Sequence, residues 1–338
     1  MSSAGVERPR GERPGEEALI ARYFAPLAGE GGLGLQDDAA LLRPRPGEDL
    51  VLTADALVAG VHFFPDDPPA AIGRKALGVN LSDLAAKGAA PEGFLLTLAL
   101  PDDWTEGWLQ AFAEGLGGAA RDAACALLGG DTVRAAGPLT LSITALGCVP
   151  AGRMVRRGAA RPGDRLVVTG TVGDAALGLL LRGASRPAWA QALQPDDRYH
   201  LLDRYLHPRP RLAAAAALRE HASAAMDVSD GLAGDLAKMM RASGATARVR
   251  ADAVPLSSAA RAALAADASL LDRVLAGGDD YELLCAVPEA RITPLLEALR
   301  AAEIPAAVIG EVEEGAEPPV FAVDGTERRF ARGSFSHF

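Results

Sequence analysis

Gly78-Val79-Asn80-Leu81-Ser82-Asp83-Leu84-Ala85-Ala86-Lys87-Gly88 is an apolar stretch with helical periodicity that carries a carboxylate where a core residue is expected. Leu77, Leu81, Leu84 and Ala85 recur on one helical face, and Asn80, Asp83 and Lys87 recur on the neighbouring one. Two readings fit that polar stripe. It is a solvent-facing surface on which Asp83 pairs with Lys87, or it is an amide and a carboxylate that hold a hydrated cation beside a packed face. Mg²⁺ suits the second, because it prefers oxygen ligands and keeps several of its waters.

Acids recur at similar places along the chain. Residues 36–42 (QDDAALL) are expected to enter a first strand, with paired aspartates at its mouth. Residues 49–57 (DLVLTADAL) read as a strand on which Thr53 and Asp55, two apart, share one face. A strand at 94–100, a helix at 104–125, a turn at Gly129-Gly130-Asp131-Thr132 and an alternating strand at 139–149 follow. Farther on, the strand 165–169 runs through Gly170-Thr171-Val172-Gly173-Asp174 into a helix, a junction whose N–H groups can cradle an anion. Residues 183–200 read as irregular. The buried strand 224–229 meets the helix 232–240 at Asp227 and Asp230, with Ser229 or Asp230 as N-cap. Gly277-Gly278-Asp279-Asp280-Tyr281-Glu282 repeats the plan before a strand at 283–287. By contrast, Gly29-Glu30-Gly31-Gly32-Leu33-Gly34 fits G-x-G-x-x-G but follows a helical segment, residues 16–28, where a dinucleotide site needs a strand. It reads as a turn. His62 stands alone, without ligand spacing.

A chain of 338 residues accommodates about two domains, and the boundary is expected near residue 150, behind a loose charged tail over residues 1–15. The net charge of −10 argues against nucleic acid held through its phosphates. It leaves room for an anionic small molecule if Mg²⁺ stands between like charges. Cys125, Cys148 and Cys285 are isolated, there is no signal peptide and no run reaches membrane-spanning length, so the cytoplasm is the expected location.

The chain lacks the P-loop, the protein-kinase lysine and catalytic-loop set, G-x-S-x-G and H-E-x-x-H. What remains are Asp38, Asp55, Asp83, Asp131, Asp227, Asp230 and Asp279 or Asp280. Singly, each serves as a cap or turn residue. Gathered in one cleft they would repel one another unless cations neutralised them, and Mg²⁺ on a polyphosphate does so while assisting phosphoryl transfer. The spacing points to a metal-dependent enzyme acting on a phosphorylated substrate.

Gln36-Asp37-Asp38-Ala39-Ala40, Asn80 to Ala86, Gly129-Gly130-Asp131-Thr132, Asp227-Val228-Ser229-Asp230-Gly231 and Gly278 to Leu283, in that order, resemble the thiamine-monophosphate kinase family. That family lies within the ATP-binding superfamily of aminoimidazole ribonucleotide synthetase. The resemblance covers residues 16 to 338 and implies an α/β (α+β) fold of two domains. An N-terminal domain, 16–150, would bind ATP and Mg²⁺ and pair its sheet across a homodimer; a C-terminal domain, 151–338, would complete the nucleotide and substrate site. It implies direct in-line transfer of the ATP γ-phosphate to thiamine monophosphate, giving thiamine diphosphate, and leaves a K⁺ requirement open. By position, the metal ligands implied are Asp38, Thr53, Asp55, Asp83, Asp131, Asp227 and Asp230, with Asp83, Asp131 and Asp230 the most critical. Gly130, Asp131, Arg157 and Ser229 match nucleotide positions, and His62, Glu282 and Phe335 match substrate positions. Gln36, Ala54 and Val133 depart from the family pattern of glycine, a polar residue and threonine. Two rivals remain: another ATP-dependent member, making an aminoimidazole ring or selenophosphate, and a nucleotide-binding protein without catalysis.

Overall fold

Two mixed sheets organise the chain in a computed structural model that describes residues 14–330 apart from 184, 186 and 324. The expected tail, except its last two residues, and Phe335 lie outside the described residues. The first sheet comprises β1 (Glu48–Val58), β2 (Ala90–Leu100), β3 (Ala126–Arg134) and β4 (Thr140–Pro150) in the order β1-β4-β2-β3. β3 runs parallel to β2; the other pairs are antiparallel. Its inner face, with Val51, Leu57, Leu96, Leu98 and Ile143, packs with Leu77, Leu84, Phe112 and Leu116. The outer face leaves Leu50, Leu52, Leu95 and Val133 exposed.

The helix expected over 16–28 begins as α1 (Glu16–Leu19) and continues through tighter and looser turns to Leu27. Behind the sheet lie α2 (Pro69–Ala86) and α3 (Glu106–Asp122). Fourteen of the eighteen residues of α2 are buried, so this helix has no free face. One side packs on the first sheet; from the other, Lys75 Nζ reaches Tyr205 O at 3.2 Å and Lys87 Nζ reaches Ala225 O at 2.7 Å. The surface pairing of Asp83 with Lys87 is therefore overturned: Asn80 is fully buried, and the lysine donates to the second half of the molecule.

Two further expectations change. Residues 36–42 form no strand; Leu41 N bonds Gly31 O at 2.8 Å, and the two prolines at 44 and 46 remove ladder donors just ahead of β1. Gly129-Gly130-Asp131-Thr132 is not a turn but the middle of β3. Gly130 has φ 153°, and a Cβ there would lie 1.8 Å from Leu96 O, so glycine is what lets this strand close on β2 beside a bulge at Phe94/Leu95.

The second sheet contains β5 (Arg165–Thr169), β6 (Ala224–Val228), β7 (Thr246–Arg250), β8 (Glu282–Val287), β9 (Ala306–Glu313), β10 (Val320–Val323) and β11 (Thr326–Arg328). Their order is β11-β10-β7-β9-β5-β8-β6. Every residue of β6 and β8 is buried, and each strand is apolar but for one acid, Asp227 in β6 and Glu282 in β8. α4 (Asp174–Arg182) follows β5; α5 (Pro195–Leu206) occupies part of the stretch read as irregular, started by a Gln194/Asp197 capping box. α6 (Ala215–His221) and α7 (Leu232–Ser243) flank β6 in sequence.

Candidate functional site

A cleft of about 1380 Å³ opens between the two sheets, and β1, α2 and the β6–α7 junction each deliver acids to it: Asp55, Asp83, Asp227 and Asp230. Strand alternation turns Thr53 and Asp55 inward, where Thr53 Oγ1 donates to Asp83 Oδ2 at 2.5 Å and Asp55 N donates to Asn80 Oδ1 at 3.1 Å. Asn80 is itself held by its Nδ2 bond to Ala76 O at 3.1 Å. Thr53 of β1 thus holds the Asp83 carboxylate, and Asn80 of α2 holds the backbone at Asp55.

These acids lack positive partners in proportion to their number. Burial, then the charges of Asp83 and Asp230, push the Asp55 carboxyl up to about 6. Asp227, buried at the end of β6, is likewise raised by burial and by Asp83. Lys87, behind them, is lowered to about 8 by burial and by Arg157. An all-oxygen donor set of crowded carboxylates with a neighbouring hydroxyl fits a hard divalent cation such as Mg²⁺. Arg157, Ser229 and Lys238 also line the cleft. His62 lies on its rim; its Nδ1 accepts Val58 N at 3.0 Å, which leaves Nε2 to carry the proton of the neutral ring.

Two helix starts differ from expectation. At the β5–α4 junction, Asp280 Oδ2 and Oδ1 accept Gly173 N and Ala175 N at 2.6 and 3.3 Å, so a protein carboxylate occupies the expected anion cradle. Neither Ser229 nor Asp230 caps α7; the cap position is Gly231, and Asp235 reaches back to accept Ser229 N and Asp230 N at 2.9 Å each. The 277–282 loop locks onto this junction through Asp279 N to Ser229 O and Tyr281 N to Val228 O, both 2.8 Å. A Cβ on Gly278 would lie 2.3 Å from Ser229 O, and Asp279 and Tyr281 hold φ of 74° and 51°.

Other expected positions lie elsewhere. Glu282 does not reach the cleft: it is fully buried, accepting from Thr169 Oγ1 at 2.7 Å, Arg204 at 2.9 Å and Arg211 at 2.7 and 2.5 Å, so both oxygens are committed. Asp38, Gly130 and Asp131 line a separate cavity of about 640 Å³. Register explains the separation. Leu95 is opposite Thr144 and Gly129, and Thr144 is opposite Ala54, which puts Asp131 on the outer face with Leu52 and Val133, while Asp55 faces inward from the far edge strand. One chain therefore gathers four of the six aspartates that the resemblance implies as metal ligands, and Asp279 lines the same cleft.

Family models for AIR synthase related protein match residues 36–149 with the N-terminal domain and residues 161–322 with the C-terminal domain. A thiamine-monophosphate kinase of Salmonella typhimurium is 42% identical over 329 residues, 96% of this chain and 98% of that protein. The chain belongs to the thiamine-monophosphate kinase family. Among solved structures, the thiamine-monophosphate kinase of Stenotrophomonas maltophilia has a TM-score of 0.78 at 42% identity, covering 86% of this chain and 90% of that one. AaThiL complexed with AMPPCP and TMP has a TM-score of 0.74 at 30% identity, covering 98% and 100%. No helix among the described residues is long and apolar enough to cross a membrane.

Within this kinase-family frame, sequence reading passed over Lys75 and Lys238. Lys238 is three residues from Asp235 on α7 and eight from Asp230 just ahead of that helix, a spacing that was visible in the sequence. Lys75 shares the cleft face of α2 with Val79 and Asp83 at four-residue steps, but its partners, Asp279 Oδ2 at 2.8 Å and the Tyr205 ring at 4.3 Å, are distant in sequence.

Proposed function

We propose that the chain transfers the γ-phosphate of ATP to the phosphate of thiamine monophosphate, giving ADP and thiamine diphosphate, with Mg²⁺ required. The observation that carries this reading is the convergence of Asp55, Asp83, Asp227 and Asp230 on one cleft between the two sheets of a chain from this family. These four acids would hold Mg²⁺, which when bound supplies neutralisation of phosphate charge. Thr53 fixes the rotamer of Asp83, and Asn80 fixes the backbone of Asp55, so the acids are positioned before substrate arrives. Arg157 and Ser229 are assigned to the nucleotide, and His62 to the thiamine phosphate. The acceptor phosphate is already ionised near neutral pH, so positioning and charge can carry the reaction without a protein base. A supporting K⁺ is compatible with the same oxygen-rich cleft.

The remaining expected ligands call for a second copy. Asp38, Gly130 and Asp131 sit near the β3 edge, and the same sheet exposes Leu50, Leu52, Leu95 and Val133 on its outer face. A homodimer that buries this apolar face would bring the β3 edge of one copy to the β1 edge of the other and complete the acid set. The 16–150 and 151–338 segments are then the dimerising and the closing domain.

Incubation of the purified protein with ATP, Mg²⁺ and thiamine monophosphate, followed by chromatography, is expected to yield thiamine diphosphate. ATP binding without product would favour a nucleotide-binding protein that has lost catalysis.

A further inference from the structure

Asp230 and Asp235 share one ammonium but are otherwise balanced differently. Asp235 is fully buried, its Oδ2 accepts two backbone N–H groups at 2.9 Å, and its Oδ1 takes Lys238 Nζ at 2.8 Å. The side chain of Asp230 is 35% exposed, and its Oδ2 takes the same Lys238 Nζ. Lys238 is 27% exposed and lines the cleft together with Asp55, Asp83 and Asp227. One end of the bridge is therefore sealed into the start of α7, and the other faces a crowd of like charges.

We propose that Lys238 is a tethered counter-cation: it stays anchored on Asp235 and holds Asp230 until a divalent cation takes its place. The proposal rests on the reading of Asp230 as a metal ligand. A carboxylate left among other carboxylates without a cation is costly, and the ammonium removes that cost while the cleft is empty of metal. A divalent ion carries twice the charge and favours carboxylate oxygens, so it wins the exchange. The flexible lysine stem lets Nζ withdraw from Asp230 without leaving Asp235. Lys238 is thus a positioning residue that competes with the metal and sets how tightly the nucleotide-free cleft binds it.

Mn²⁺ binding to the nucleotide-free full chain, followed by the loss of the free-ion electron paramagnetic resonance signal, tests this in Lys238→Gln and Lys238→Arg. The glutamine keeps a donor for Asp235 but not the charge, and Mn²⁺ is expected to bind about tenfold tighter than to the parent, as for a lost competitor of about 1.4 kcal/mol. The arginine fork bridges both carboxylates more firmly, and binding is expected to weaken several-fold, which keeps the test open if the glutamine variant fails to fold. Equal or weaker binding in folded Lys238→Gln, or equal or tighter binding in Lys238→Arg, overturns the proposal alone. Mn²⁺ binding to none of the three proteins removes the metal-site reading and this proposal with it.

Discussion

The β5–α4 and β6–α7 junctions share one backbone plan, a buried strand leading through glycine into a helix, with backbone N–H groups of the turn taken by a carboxylate: distant Asp280 at the first, Asp235 of α7 itself at the second. They differ in how their own acids are balanced. At the first, Asp174 is fully buried and accepts from Thr171 at 2.6 Å and Ser257 at 2.5 Å, with His200 Nε2 at 2.9 Å. Burial alone would raise that carboxyl, yet those hydrogen bonds hold it below the usual range. At the second, Asp227 and Asp230 face Asp55 and Asp83 across the cleft, and the buried carboxyl of Asp227 is raised. A satisfied acid stabilises a fold, whereas a crowded, under-neutralised one is kept for a ligand.

The largest expected effect is on the second junction. Asp227→Asn removes the charge of a proposed metal ligand at nearly constant shape, so thiamine diphosphate formation should fall by about 10³-fold, roughly 4 kcal/mol of barrier. Its melting temperature without metal should hold or rise, because a repelled buried charge is gone. A variant that melts early and keeps its turnover would reverse the assignment. Asp174→Asn is the mirror experiment: denaturant titration should show a loss of about 2–3 kcal/mol from its charge-assisted bonds, with turnover of the folded protein retained.

A smaller effect is expected from pH. Because the folded-state carboxyl of Asp55 is raised to about 6, the folded protein binds more protons than the unfolded chain between about pH 4 and pH 6. Metal-free stability should therefore fall as pH rises through that window, and saturating Mg²⁺ should remove the slope. Asp174, with a lowered carboxyl, acts in the opposite sense: its stabilisation is complete above about pH 4 and is lost only as pH falls below that. Melting curves from about pH 3 to 7 with and without Mg²⁺ separate the two; a metal-free slope of the opposite sign between about pH 4 and 6 would contradict the crowding of Asp55. The smallest change is His200→Gln, at a side chain 37% exposed, where about 0.5–1 kcal/mol and no change in turnover are expected.

Much of the architecture was legible locally. The strands at β1, β6 and β8 were expected where they lie, alternation found β4, and 3.6-residue periodicity found the end of α2 with its embedded Asp83. Glycine was the weaker signal: at Gly129-Gly130 it marked close contact between strands instead of a turn, because a missing Cβ serves both purposes. The acidic 36–42 stretch looked like a strand mouth, but no neighbouring strand pairs with it. Glu282 stood beside an expected ligand loop, yet two arginines from α5 and the segment after it claim both its oxygens.

Periodicity, glycine junctions and the order of the acids are properties of neighbouring residues, so the sequence by itself determined the main elements and the aspartates they carry or adjoin. Which of those aspartates meet, and what neutralises them, was decided only by tertiary structure. Strand register puts Asp55 on the inner face at one sheet edge and Asp131 on the outer face at the other, while Lys75 finds Asp279 across 204 positions. Contacts made at such separations are fixed by packing and leave no local pattern to read.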